Sequence, residues 1–267
     1  MTRPDPGAGP PYDGTGSARL VTLHVWRVPR RSLPRALARM AVDRHRLRGT
    51  PGVRFGKLLG TGDGFGPTDA DPTRWAALVV WADPARAAGF DDTPVGRAWR
   101  RIAHAGVRLD LRPLASRGRW AGTEPFGTLP TGSARPTAPG RPLLALTRAR
   151  LRPHRAVAFW RAVPPVAAAV RETPGLLARF GIGEAPLGWQ GTVSIWRDAT
   201  HLTDFAYRHP EHRAAIMRTP TQRWYAEELF ARFEVCDLVG DPAVLGWVGT
   251  DDDQGFRHWP RVRSGRA

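Results

Sequence analysis

Cysteine is nearly missing from this 267-residue chain: Cys236 is the only one. That excludes a disulfide framework and a thiolate metal cluster. Lysine is as scarce, with Lys57 alone, so nearly all of the formal charge of +16 comes from arginine. Arg, Ala, Gly and Pro are inflated together, which fits a GC-rich coding sequence as well as a binding surface. The arginines are also dispersed along the chain rather than blocked, which argues against a nucleic-acid binder. No run approaches the roughly 18 apolar residues that span a bilayer. The N-terminal "MTRPDPGAGPPYDGTGSA" has no apolar core of signal-peptide length. A cytoplasmic protein is expected, with peripheral membrane contact through basic and aromatic surface left open, and self-association left open too.

What the chain has in excess is tryptophan, 11 against 3 tyrosines. Large flat side chains on this scale can fill a core or line a sizeable apolar pocket.

Two Pro/Gly-rich stretches divide the sequence. Residues 1–18 read as a disordered tail and 127–141 as a linker, leaving 19–126 and 142–240 as two halves and 241–267 as a C-terminal tail. The halves repeat one pattern. Each opens with a strand-like run, "RLVTLHVWRV" (Arg19–Val28) and "PLLALTRARL" (Pro142–Leu151), then a helical run, Ser32–His45 and His154–Val170. Thr50-Pro51-Gly52 and Thr173-Pro174-Gly175 follow, each leading into a second apolar strand. Next come "WAALVVWAD" (Trp75–Asp83) and "WQGTVSIWRD" (Trp189–Asp198), which align Trp81 with Trp196 and Asp83 with Asp198. Both aspartates stand where an N-cap would start the next helix. Phe90 matches Phe205, Pro94 matches Pro210, and closing strands run Val107–Leu114 and Ala231–Val239.

That order is βαββαβ twice, the ferredoxin-like arrangement in tandem. Each half alone leaves one apolar sheet face in water, so the halves are expected to bury those faces against each other in a closed α+β barrel. The first half carries an extra stretch, Thr61–Thr73, which reads as a mobile surface hairpin.

The second half elaborates its last helical region, "FAYRHPEHRAAIMRTPTQRWYAEELFARF" (Phe205–Phe233), placing His212 where the first half has Gly96. Pro210 ends the helix that begins near Ala199, and a new helix starts at Glu211. There His212 shares a face with Ala215, Ile216 and Thr219. Two readings fit a histidine so placed. One is a buried neutral imidazole bonded to a carbonyl. The other is the single protein ligand of a haem iron, with aromatic and apolar contacts around the ring and Arg213 or Arg223 on its propionates. Zinc lacks further ligands at good spacing, and His209 reads as a solvated helix-end residue. The Glu227–Glu228 pair is taken as helical, which lets at most one face a pocket. Trp224 and Tyr225 read as core or pocket lining.

The stretch "GTVSIWRDATHLTDFAYRHPEHRAAIMRTPTQRWYAEELFARFEV" (Gly191–Val235) resembles the signature region of the spheroidene monooxygenase family of carotenoid-modifying enzymes. S-x-W-x-D, F-A-Y, a histidine and W-Y-x-E-E-L-F-A-R-F carry the likeness, and "RPLASRGRWAGTEPF" (Arg112–Phe126) resembles the segment closing the family's first half. The similarity spans Leu20 to Leu238. It implies a dimeric α+β barrel architecture held in one chain, and an enzyme that inserts oxygen from O₂ into a long polyene with haem as cofactor. His212 takes the family's histidine position and so becomes the iron ligand, with Arg213 or Arg232 on a propionate. Trp196, Phe205, Tyr207, Trp224 and Phe230 are expected to shape the pocket, with Glu227 and Trp224 beside the chemistry. Electrons are expected from an external donor, since no flavin, ferredoxin or nicotinamide motif is present. A terpenoid or other secondary metabolite is as good a substrate as a carotenoid, and a non-catalytic haem or lipophile carrier is the alternative function.

Overall fold

The structure is a computed structural model that describes residues 20–64, 69–127, 140–152, 173–184, 189–208 and 225–246. Eight antiparallel strands close into a barrel. The first half supplies β1 (Val21–Arg27), α1 (Leu33–Arg48), β2 (Val53–Gly62), β3 (Ala70–Trp81), α2 (Pro94–Ile102) and β4 (Ala105–Gly118). The second supplies β5 (Leu143–Leu151), β6 (Leu176–Gly183), β7 (Trp189–Trp196), α3 (Ala199–Arg208) and β8 (Tyr225–Gly240). The helical run expected at residues 154–170 and the N-terminal tail lie outside the described residues.

Around the ring the order is β1-β3-β2-β6-β7-β5-β8-β4. Each half therefore contributes a four-stranded sheet in ferredoxin-like order, and the halves meet at two seams. One is short, Gly60↔Gly183 to Gly62↔Gly181 between β2 and β6. The other runs from Val107↔Gly240 to Gly118↔Leu229 between β4 and β8. Closure leaves no sheet edge and buries the inner faces together, as the tandem repeat predicts.

Burial on both faces explains why the strands read as near-continuous apolar runs. In β1, Val21, Leu23 and Val25 point into the barrel, while Thr22, His24 and Trp26 lie under the helices, and all six are buried. Two segments stop the ends. After β4 the chain turns back and buries Trp120 and Phe126, the latter edge-on to Phe233 with ring centroids 4.9 Å apart. At the other end of β4 a 3-10 turn, Pro242–Leu245, buries Val244 and Leu245 in the same core. That corrects the expected domain boundary at residue 240: the first residues of the assigned tail belong to the barrel.

The hairpin expected over Thr61–Thr73 is shorter than its composition suggests. β2 continues to Gly62 and β3 begins at Ala70, with Thr61 paired to Asp71. The cause is a buried arginine. Arg74 donates to Thr61 Oγ1 at 3.0 Å, the Gly62 carbonyl at 3.1 Å and Asp63 at 2.6 Å. Arg27 reaches Asp71 at 2.6 Å. Those bonds hold both strands beyond the point where polar and glycine residues alone would fray. Residues 65–68 lie outside the described set.

A second correction concerns Tyr225–Phe230. Its Ala-Glu-Glu-Leu composition favours helix, yet β8 starts at Tyr225, because this stretch pairs with β5 along its length and with β4 from Leu229 onward. Two ladders outweigh a weak local preference.

Candidate active site

Strand register superposes the two halves. The Trp81 amide donates to the Leu20 carbonyl at 2.9 Å, and Leu143 pairs with Trp196, so Leu20 corresponds to Leu143. Gly52 and Gly175 both adopt positive φ, +85° and +78°, and their carbonyls accept from Ala82 and Arg197 at 2.8 Å each. Asp83 caps the 3-10 helix Pro84–Asp92 by accepting from the Ala85 amide, and Asp198 accepts from the His201 amide at 3.0 Å. Burial raises the Asp198 carboxyl, but hydrogen bonds from the backbone and ring of His201 reverse this and hold it below the usual range.

With the halves aligned, their outer faces differ. In the first half, rings fill the space between sheet and helices. His24 sits 4.0 Å from Phe90, Trp26 stacks on Trp99 at 5.2 Å, and Trp75 meets Trp99 at 5.9 Å (ring centroids). His24 is 2 % exposed, and burial, then Arg108, lowers its pKa well below 6.5. In the second half Thr147 stands for His24, Ala149 for Trp26 and Phe230 for Arg108. In the sequence the matched prolines likewise set Ala215 against Trp99 and His212 against Gly96. A Cβ at Gly96 would lie 2.1 Å from the Phe90 carbonyl oxygen, so the first half has no room for a side chain there.

The second face thus loses the volume of two large rings on its described strands. Ala145, Thr147, Thr192 and Ser194 are only half-buried, whereas Thr22, His24, Ala77 and Val79 are fully covered. Trp196 and Phe205, predicted to line the pocket, are brought together here. Both are buried and they stack with centroids 5.0 Å apart. The Trp196 indole N–H donates to Ser194 Oγ at 2.9 Å. Phe230 pairs across from Thr147, with the Arg117 guanidinium 4.4 Å above its ring.

Arg232 lies one outward position further along β8, opposite Ala145, and is exposed with no carboxylate partner among the described residues. Its neighbours are not so placed. Arg112 and Arg141 both engage the buried Glu234, Arg141 at 3.6 Å. His212, Arg213, Arg223 and Trp224 lie outside the described residues, as do His209 and the Tyr207 side chain.

Glu227 is directed the other way, into the barrel. It binds Arg148 and accepts from the Ala121 and Gly122 amides at 3.1 and 2.7 Å. Burial pushes its pKa up, but the Gly122 amide, Arg148 and the Ala121 amide outweigh this and leave it lowered. Sequence reasoning missed the rest of this cluster. Arg148 also bonds Glu184 at 2.8 Å, Lys57 reaches Glu184 at 2.6 Å, and the Trp120 indole donates to Glu184 at 2.7 Å. The one available signal was that the sole lysine sits inside an apolar strand.

What the outer face can do follows from its residues. It presents aromatic rings, small apolar groups and hydroxyls, and an exposed guanidinium at the rim. Flat apolar contacts and a guanidinium are the groups that suit an apolar molecule with an acidic edge. The one histidine among the described residues nearby, His201, is bonded to Asp198 at 2.9 Å.

No protein-family model matches the chain. Curated proteins do. It is 39% identical over 222 residues to a spheroidene monooxygenase of Rhodobacter capsulatus, covering 82% of this chain and 89% of that protein. A spheroidene monooxygenase of Rubrivivax gelatinosus is 34% identical over 199 residues, 72% of each chain. The chain belongs to the spheroidene monooxygenase family. It is accordingly an oxidoreductase of the monooxygenase class. Among solved structures, an aldoxime dehydratase superposes with a TM-score of 0.56 over 82% of both chains at 14% identity. Another, in complex with butyraldoxime, gives 0.53 at 14% identity over 82% of this chain and 80% of that one. These likenesses establish the fold. No helix among the described residues is long and apolar enough to cross a membrane.

Proposed function

We propose that this spheroidene monooxygenase-family protein is a haem-dependent carotenoid monooxygenase, acting on a long apolar polyene or related isoprenoid on the outer face of its second half. The observation that carries the reading is the exchange of His24 and Trp26 in the first half for Thr147 and Ala149 in the second. The names of the curated relatives supply the substrate class, and the apolar, ring-lined face agrees with it.

The residues fit haem in kind. His212 would hold the iron, and Arg232 and Arg213 would pair with propionates, where a guanidinium matches a carboxylate in two-point fashion. When bound, the haem supplies activation of O₂. The chain's own part is to bind, orient and keep dry. Trp196, Phe205 and Phe230 give the polyene flat apolar contacts, joined by Tyr207 and Trp224 in this reading. The Thr147 and Ser194 hydroxyls are the polar groups near it, and Ser194 is already bonded by Trp196. Glu227 holds the barrel end through Arg148 and so acts as a positioning residue. The overall balance is R–H + O₂ + 2e⁻ + 2H⁺ → R–OH + H₂O, so two electrons must come from a separate reductant.

The test is turnover of a carotenoid in detergent by haem-loaded protein with a reductant under ¹⁸O₂. The proposal expects one labelled oxygen per oxidised product. Binding of the polyene without labelled product would identify a carrier instead.

A further inference from the structure

An open groove lies between α1 and α2, on the half of the molecule away from the candidate site. Arg35, Arg39 and Arg46 of α1 and Arg97 and Arg101 of α2 line it. Asp43 is the sole carboxylate on α1. It is fully buried beneath the groove, 3.7 Å from Arg39 and 3.4 Å from Arg46, so it offsets these two from below and shows no negative charge to solvent. Arg35, Arg97 and Arg101 have no carboxylate partner among the described residues.

A second observation sits on the same helix. The large hydrophobic side chains that stand exposed among the described residues are two, Leu37 at 60% and Val42 at 47%, and both belong to α1. At 100° per residue they border an outward crest that also holds Pro34, Ala38 and Ala41, with His45 and Arg48 on it in the last turn, all exposed. Arginines flank this crest on both sides, Arg35 and Arg46 toward α2 and Arg44 away from it. An aliphatic crest between rows of arginine is the pattern of a helix lying in a lipid–water interface, with side chains among the acyl ends and guanidinium groups at the headgroups.

We propose that the α1–α2 face docks this protein on an anionic lipid bilayer. Charge complementarity selects anionic headgroups over neutral ones, and the aliphatic crest selects a membrane over a nucleic acid. Exposed Leu37 and Val42 have no role against phosphates or base edges, so a bilayer is the occupant that uses both the arginines and the aliphatic side chains of this face. Docking would hold the enzyme against the phase in which apolar polyenes dissolve, but the surface is read from α1 and α2 alone and does not depend on the haem assignment.

Co-sedimentation of the full chain with vesicles tests it. Phosphatidylglycerol/phosphatidylcholine vesicles should retain the protein and pure phosphatidylcholine vesicles should not, with retention falling steeply as salt is raised. Each surface arginine is worth about five-fold in affinity. Arg35→Glu/Arg97→Glu/Arg101→Glu should therefore cost about 100-fold or more. Leu37→Ser/Val42→Ser should weaken binding to the same vesicles without altering the melting temperature, since both residues are exposed. Failure of wild type to bind anionic vesicles, or binding unchanged in both variants, would overturn the proposal. So would duplex DNA binding that is tighter than vesicle binding and indifferent to the Leu37/Val42 change. None of these outcomes touches the monooxygenase reading, because no turnover is measured.

Discussion

Trp196 lies against Phe205 with ring centroids 5.0 Å apart and planes 27° from parallel, while its counterpart Trp81 meets Phe90 edge-on at 6.2 Å and 84°. The difference has a local cause. In the first half His24 occupies the face of Phe90, 4.0 Å away, and Trp81 is left with the edge. Thr147 takes that place in the second half, where Phe205 stacks on Trp196 instead.

Refilling the face should separate a pocket from a core. Thr147→His with Ala149→Trp restores the first-half residues. If the face is open to ligand, the variant keeps its melting temperature within a few degrees and loses binding of haem and of carotenoid. If the face is close-packed, the added rings cost about 1–3 kcal/mol or more, read as a large drop in melting temperature.

The matched turns predict a ranking. Gly52 and Gly175 both have positive φ, where an L side chain costs about 1–2 kcal/mol. A Cβ at Gly175 would also lie 2.2 Å from the His201 ring, which Asp198 holds in place, whereas at Gly52 it would meet the flexible Arg86 chain at 2.5 Å. Gly175→Ala should therefore destabilise more than Gly52→Ala in urea titration. Equal effects would show that the ring moves aside freely.

The cluster inside the barrel end should behave as one unit. Arg148 is 3% exposed and serves both Glu184 and Glu227. Arg148→Met takes one partner from each carboxylate, leaving Glu184 with Lys57 and Trp120 and Glu227 with the Ala121 and Gly122 amides, and should cost about 3 kcal/mol, the low end for a broken buried pair. Glu227→Gln leaves Arg148 with Glu184 and should cost about 1–3 kcal/mol. Because the fold lowers the Glu227 pKa, its contribution is present above the ordinary carboxylate range and is lost as pH falls through it. The glutamine variant should flatten that acid limb.

His24 works with the opposite group type. Burial lowers its pKa, so the folded state binds fewer protons than the unfolded chain. Above about pH 6.5 the imidazole is neutral in both states and pH has no effect through it. As pH falls below that value the unfolded state gains a proton first, and stability declines by up to about 1.4 kcal/mol per pH unit. Melting temperatures from pH 8 to 5 should show this decline in wild type and a shallower one in His24→Leu.

Much of the architecture was legible because duplication wrote it twice. Trp81/Trp196, Asp83/Asp198 and the Thr-Pro-Gly turns lie in matching places, since each pattern reflects local geometry that both halves need. The Thr61–Thr73 stretch misled because its glycines and aspartates read as loop, while the arginine that keeps its ends paired, Arg74, lies outside it. Glu227 misled for a related reason. Its helix-favouring neighbours say nothing of the two strands that pair with β8. The exchange of large rings for small side chains could have been found by setting His24 and Trp26 beside Thr147 and Ala149, a comparison that needs the strand register. Lys57 and Glu184 are 127 positions apart, and no local pattern joins them.

The central claim is that one imidazole of the second half holds a haem, and Soret absorbance with melting temperature tests it most directly. The full chain reconstituted with haem should show a shifted Soret band. His212→Ala should lose it while melting within a few degrees of wild type, because one ligand bond goes and the barrel core stays. His209→Ala should match wild type in both readings. A wild-type protein that leaves the haem spectrum unshifted, or a His212→Ala spectrum identical to wild type, would contradict the account.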